Sequence, residues 1–393
     1  MTGMKLPEIN HILENVPGSA SVNLMAKVKE LKAQGADIIG LAGGEPDFDT
    51  PDRIRLKAIQ SLTEGRTHYA VSIGLPELRE AIARKLRTEN KIGVEADQIV
   101  VTPGGKYAIY LAIAAITNPG DAVMILNPGW VSYAPLVRMC GAVPTAATLC
   151  YEQNYEITEE ALEAAWTEKT KAVIVNCPNN PTGKILSEHE ADILEAFVKK
   201  HNVYLISDEV YERIVYGDAV NVSPGSRSAI ADRVITCNGF SKSVAMTGWR
   251  LGYLAAPKHL MKVLTVMHSH TVTGCPTFIQ DAAVEAFSCG KEIEAMKNRY
   301  EIRRDQFIGA LKGLPGVDAR YPEGAFYAWI RMEKDGMNSF QMADYLLETC
   351  GVVGMHGEAY GSGAEHCLRF SFANSDAELA DAAERIRRAL GVS

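Results

Sequence analysis

Short runs of consecutive apolar residues alternate along the chain with longer stretches in which apolar residues recur at helical spacing. Seven runs read as strands, at 98–102, 122–126, 144–149, 172–176, 204–208, 234–237 and 251–255. Helical spacing fills 76–91, 106–116, 187–200 and 257–268. A strand that is apolar at nearly every position, not at alternate ones, buries both faces. Such strands, each followed by a helix, predict an α/β fold with a mostly parallel seven-stranded sheet flanked by helices.

The pattern changes after about residue 290. A long charged helix at 292–312 precedes a strand at 325–331, a helix at 339–348, strands at 352–355 and 368–373, and a last helix at 376–390. This reads as a smaller α+β domain. The first 45 residues contain too little to fold alone and are expected to pack with it. The expected division is a large domain at 51–290 and a discontinuous small domain made of 1–50 and 291–393.

Composition narrows the function. The chain has 393 residues, enough for two domains, with 47% hydrophobic and 22% charged residues. A net charge of −8 argues against nucleic acid or an anionic membrane as partner. No apolar run approaches the roughly 20 residues that span a bilayer. The start, Met1 to Glu8, lacks a basic segment followed by an apolar one, so a cytoplasmic protein is expected. The eight cysteines are scattered without a Cys-x-x-Cys pair and read as reduced thiols. No residue is assigned to a metal.

In such sheets ligands sit outside the carboxyl ends of the strands, and the unusual residues fall there. The first strand runs into Gly104-Gly105-Lys106 and a helix, where exposed backbone N–H groups and the helix dipole favour an anion. Read alone, this is a phosphate cradle or a plain turn. The 204–208 strand ends in Asp208-Glu209, followed by Tyr211. A buried aspartate needs a cation, or else it caps the next helix. The 172–176 strand leads into Asn179-Asn-Pro-Thr-Gly183, a rigid loop that can hold Asn180 as a donor. Lys242 sits in a Gly/Ser turn within Asn238-Gly-Phe-Ser-Lys-Ser-Val-Ala-Met-Thr-Gly-Trp-Arg250. Its amine would be made nucleophilic by desolvation and by Arg250, whose fork suits phosphate. Trp130 follows another strand end and is either a core ring or a stacking platform. Arg369 interrupts an apolar run and pairs either with an internal carboxylate or with a substrate carboxylate.

These segments together resemble the class I/II aminotransferases, fold type I enzymes of pyridoxal 5'-phosphate (PLP). The resemblance runs from Ala42-Gly-Gly-Glu-Pro-Asp-Phe-Asp-Thr-Pro51 to Leu368-Arg-Phe-Ser371 and is closest to the bacterial aspartate aminotransferase branch. It implies that Lys242 carries the cofactor as a Schiff base and shuttles the proton. It implies that Asp208 pairs with the pyridine nitrogen, that Asn180 and Tyr211 bind the phenolate oxygen, and that Trp130 stacks on the ring. Gly104, Gly105, Lys106 and Arg250 would surround the phosphate. Gly239 stands where many members have a phosphate-binding hydroxyl, and Ser241 is the substitute at hand. Arg369 and the backbone at Gly44, with Trp130 and Asn180, would take the substrate. Tyr69 would reach the neighbouring subunit's phosphate, implying a homodimer with shared sites.

The implied reaction is transfer of an amino group from an L-amino acid, best read as aspartate or glutamate, to a 2-oxo acid by a ping-pong mechanism. Lys106 would meet the side-chain carboxylate of a dicarboxylic substrate or only neutralise phosphate, and the segment around Ser19 to Val22 would help set specificity. The alternatives are an aminotransferase for aromatic, arginine or other amino acids with pyruvate, or a C–S lyase on the same fold. A PLP-sensing regulator would need an added DNA-binding domain, for which the early start of the match leaves no room. A nicotinamide dehydrogenase is disfavoured because no Gly-x-Gly-x-x-Gly follows a first strand.

Overall fold

A computed structural model describes residues 8–14 and 16–392. The reading of the chain start as lacking a leader therefore falls almost wholly outside the described residues. Seven strands form the main sheet: β1 (Ile99–Thr102), β2 (Ala122–Asn127), β3 (Val143–Thr148), β4 (Thr170–Asn176), β5 (Tyr204–Asp208), β6 (Val234–Gly239) and β7 (Gly252–Ala255). Their spatial order is β1-β7-β6-β5-β4-β2-β3. Only β7 runs antiparallel, against β1 and β6; the other pairings are parallel.

The period of two in a strand explains why these runs are apolar throughout. Ala172 and Ile174 of β4 join one core, with Ile109 and Ala112 of the helix Gly105–Ile116. Val173 and Val175 point to the opposite core, with Leu194 and Phe197 of the helix Glu188–His201. Helix Pro76–Thr88 covers the β1/β7 edge through Leu78 and Ile82. Among the described residues, no helix is long and apolar enough to cross a membrane.

A second sheet is antiparallel and contains β8 (Val317–Ala319), β9 (Tyr327–Met332), β10 (Met355–His356) and β11 (Cys367–Ser371), in the order β10-β11-β9-β8. Helices Gly290–Leu311, Ser339–Cys350 and Asp376–Ala389 share its core. Ile39–Gly40 pairs in parallel with Val352–Val353, so the early chain is stitched to this late part.

Several sequence expectations need correction. The run at 352–355 is two strands: Val352–Val353 pairs with Ile39–Gly40, and Met355–His356 joins β11. Gly354 divides them, and a Cβ there would lie 2.5 Å from the Phe370 ring. The strand expected at 325–331 begins at Tyr327, because Ala325 adopts a left-handed φ of 57°. The helix expected at 257–268 begins as a short 3-10 turn and becomes α-helical over Met261–Thr271. The helix Ala20–Ala33 was not anticipated; it buries only Val28 and leaves Val22 and Met25 exposed. The strand expected at 234–237 continues to Gly239, which brings the strand end within three residues of Lys242.

Candidate active site

The ends of β4, β5 and β6 lie side by side, with Asn176 in register with Asp208 and Asp208 with Cys237. They open on a cavity of about 470 Å³. Gly44, Gly105, Lys106, Trp130, Asn180, Asp208, Tyr211, Ser241, Lys242, Arg250 and Arg369 all line it. Gly104 lies against Arg250 at its edge. Tyr69 does not line the cavity of its own chain; it is 91% exposed.

Asp208 is 5% exposed. Its Oδ2 accepts a 2.6 Å hydrogen bond from the Tyr133 hydroxyl, and Oδ1 accepts a long one from the Val210 N–H at 3.4 Å. Burial raises its pKa to about 6, although Tyr133, Val210 and Lys242 oppose the shift. Asn176 steadies this strand end: its Nδ2 donates to the Asp208 carbonyl at 2.9 Å, and its Oδ1 accepts from the Asn180 N–H at 2.8 Å.

Lys242 donates to the Gly44 carbonyl. Burial lowers its pKa to about 8, with Arg369 and Arg250 acting the same way and Glu45 and Asp208 resisting. The turn that carries it is conformationally costly, since Ala245 and Arg250 hold left-handed φ values of 50° and 54°. Thr50 braces it by donating to the Ala245 carbonyl at 2.7 Å while accepting from Trp249 Nε1 at 3.0 Å.

Gly104, with φ 84°, precedes the helix Gly105–Ile116. A Cβ on it would come 2.6 Å from Arg250 Nη2, so glycine lets the guanidinium close over the helix N-terminus. At Gly239 a Cβ would meet the Leu251 carbonyl at 3.3 Å and the Gly105 nitrogen at 3.5 Å, which leaves little room for a hydroxyl side chain. The Lys106 ammonium stands 4.9 Å from the centre of the Trp130 ring, and burial and then Arg250 lower its pKa.

Arg369 is 3% exposed. Nη1 donates to Asn180 Oδ1 at 2.9 Å, and Nη2 donates to the carbonyls of Ala42 at 2.6 Å and Gly43 at 3.3 Å. Its Nε is buried without a partner. Among the described residues no carboxylate lies within ion-pair distance of it, so an internal pair is not what holds this charge. Because the Asn180 carbonyl is taken by Arg369, the amide NH2 is the end left to donate. The Tyr211 and Tyr327 hydroxyls are 2.7 Å apart, and burial raises the pKa of Tyr211.

Sequence reading passed over Tyr133, Asn176 and Tyr327. Tyr133 opens the helix after β2, and Asn176 is the last residue of β4. Asn176 carries the strand-end signal that singled out Asp208; Tyr133, which lies past the end of β2, does not. Tyr327 had no such signal, because it comes from the other sheet. Ser21 and Val22, from the segment expected to bear on specificity, line the cavity from helix Ala20–Ala33 together with Met25. All eight cysteines are free. Burial pushes the Cys177 and Cys237 thiols up, which keeps them un-ionised beside the site.

Comparison with known proteins meets this geometry. Residues 36–386 match the family described as aminotransferase class I and II. A probable aspartate/prephenate aminotransferase of Aquifex aeolicus is 42% identical over 95% of this chain and 96% of its own. The aspartate/prephenate aminotransferase of Thermus thermophilus is 38% identical, covering 95% of this chain and 96% of its own. The solved aspartate aminotransferase from Thermus thermophilus with maleate superposes with a TM-score of 0.93 at 36% identity, over 98% of this chain and 100% of its own. The aromatic aminotransferase from Pyrococcus horikoshii superposes at 0.87 with 37% identity, over 92% and 98%.

Proposed function

The chain belongs to the class I and II aminotransferases, and from that premise we propose that it works with PLP held at Lys242 and takes aspartate or glutamate as amino donor. The observation that carries the reading is the convergence of three under-satisfied charged groups in one cavity. Asp208 has one side-chain partner, Lys242 one carbonyl, and Arg369 an orphaned Nε.

The residues fit the cofactor. A buried carboxylate whose pKa lies near 6 calls for a cation on its open side, as a pyridinium would be. The glycine-cleared helix N-terminus under Arg250 suits a phosphate. Bound there, PLP supplies an electron sink for the carbanion formed when the donor loses its α-proton. Asp208 would keep the ring nitrogen protonated, with Tyr133 fixing the carboxylate. Asn180 and Tyr211 would donate to the ring oxygen, and Trp130 would cover the ring face. Lys242, whose pKa burial lowers to about 8, gives up a proton at Nζ more readily than an ordinary lysine and can return it. Arg369 would hold the α-carboxylate of either substrate, so donor and acceptor use one site in turn.

The names of the relatives support aspartate as donor, and the four cations on the cavity wall, Lys106, Lys242, Arg250 and Arg369, suit a dicarboxylic substrate. Lys106 is the group placed for a side-chain carboxylate if Arg250 takes the phosphate. The aromatic aminotransferase among the structural neighbours supports a second reading, in which the apolar Val22, Met25 and Ile109 receive a ring. The same proposal includes a homodimer in which exposed Tyr69 serves the partner's site. It also includes the division into 51–290 and 1–50 with 291–393, supported by the strand pairing of Ile39–Gly40 with Val352–Val353.

The test is the visible absorbance of the protein supplied with PLP. The reading expects a cofactor band that is lost on adding aspartate or glutamate and returns with a 2-oxo acid. Release of pyruvate from a cysteine conjugate without a 2-oxo acid would identify a lyase instead. No band after PLP is added would remove the cofactor and every role built on Lys242.

A further inference from the structure

The cavity wall is unbalanced in charge. It carries Lys106, Lys242, Arg250 and Arg369, against two carboxylates, Asp208 and Glu45. Asp208 is buried at the back and already bonded to Tyr133. Glu45 is exposed. An amino donor arrives as a zwitterion, and its ammonium must come to rest beside Lys242, among cations that repel it. Glu45 is the remaining negative charge among the described residues that line the cavity.

Its placement is built by its neighbours. The strip Ala42–Glu45 lines the cavity and connects Arg369 to Lys242. The carbonyls of Ala42 and Gly43 accept from Arg369, and that of Gly44 accepts from Lys242. Glu45 is therefore the next group after the one that touches the amine. Its Oε1 accepts a hydrogen bond from the Thr247 hydroxyl, and the Thr247 carbonyl accepts from Arg250 Nη1 at 2.9 Å. Thr247 thus aims the carboxylate from the loop that also carries Lys242. No cation forms an ion pair with Glu45 among the described residues, so its remaining oxygen has acceptor capacity to offer.

We propose that Glu45, aimed by Thr247, receives the ammonium group of the incoming amino acid and so favours amino donors over amine-free carboxylates of the same size. Glu45 is then a specificity-determining residue for the amino half of the reaction. Thr247 is a positioning residue. The inference rests on the aminotransferase reading above, and in particular on Arg369 as the carboxylate end of the site. The field of Glu45 at Lys242, which opposes the loss of its proton, is consistent with a carboxylate facing the amine.

The experiment compares two ligands on the PLP-loaded protein: 2-methylaspartate, which has the amine but no α-proton to lose, and succinate, which has both carboxylates and no amine. Dissociation constants are measured for wild type, Glu45→Gln and Thr247→Val, with thermal melting as a check on the fold. Glu45→Gln is expected to weaken 2-methylaspartate about fivefold and to leave succinate unchanged or tighter. Thr247→Val is expected to show a smaller loss of the same kind, and Glu45→Asp to restore part of the affinity. Equal weakening of both ligands by Glu45→Gln, or no change in either, would overturn the assignment. Failure of wild type to bind either ligand would instead remove the aminotransferase reading beneath it.

Discussion

Asp208 and Glu209 are neighbours in sequence and both buried, yet they meet opposite surroundings. Asp208 faces the cavity with one phenol and one long backbone contact. Glu209, 1% exposed, faces away from it. Its Oε1 accepts from Ser207 at 2.8 Å and Ser223 at 2.6 Å, and its Oε2 accepts from Asn90 at 3.1 Å. The cluster continues to Glu212, which pairs with the buried Lys85 and accepts from Asn238 at 2.8 Å. Around Glu209 both carboxylate oxygens have donors within the protein, although burial and the neighbouring Glu212 raise its pKa as burial raises that of Asp208. Asp208, Lys242 and Arg369 are each left short of partners. The difference teaches that a buried charge alone marks nothing, and that the group left short of partners marks the site.

Removing the charge on each side of the dipeptide breaks the comparison most sharply. Asp208→Asn is expected to keep PLP bound and lose transamination by about a hundredfold or more. Steady-state rates beside the visible spectrum check it, and near-normal turnover would end the electron-sink role. Lys85→Met is expected to do the reverse. It strands Glu212 and Glu209, so denaturant unfolding should show a loss of about 3–5 kcal/mol, with kcat/KM of the folded fraction little changed. A variant that stays stable but loses activity would place the cluster in the chemistry.

Arg369→Ala tests the third under-satisfied group. KM should rise about tenfold or more for every amino acid tried, because all share the α-carboxylate. A rise confined to dicarboxylic substrates would move Arg369 to the side-chain end of the site. The smallest effect is a pH dependence of stability in protein free of cofactor. The Lys242 pKa is lowered from 10.5 to about 8. Between those values the unfolded chain binds more protons than the folded one, so wild-type stability gains with rising pH. Lys242→Met should therefore be more stable than wild type below pH 8, and the gap should close as pH rises toward 10.5. A pH-independent gap would mean that burial does not disfavour the charged amine.

The groups legible in the sequence were those that break a local rule. A carboxylate ending an apolar strand, a lysine in a Gly/Ser turn and an arginine inside an apolar run stand out because burial makes such residues costly. The inner strands of the main sheet were legible because continuous apolar runs are what a doubly covered sheet requires; the edge strand β3 is mostly exposed or half-buried. Tyr133 and Tyr327 were not legible, because a buried tyrosine is ordinary in sequence and only its distance to Asp208 or Tyr211 gives it a part. Gly354 and Ala325 hid strand boundaries, because the backbone break comes from contacts with Phe370 and from a left-handed φ, neither of which leaves a mark on hydrophobic periodicity. Helix Ala20–Ala33 was missed because it buries only Val28 and leaves Val22 and Met25 exposed, so it does not read as a helix covering a core.

The central claim is that Lys242 is the lysine that bonds the cofactor. Adding PLP to the protein, reducing with borohydride and mapping the modified peptide by mass spectrometry reads this directly. A single pyridoxyl group on Lys242, absent from Lys242→Met, is the result expected. A pyridoxyl group on Lys106 or another lysine, with Lys242 unmodified, would contradict it.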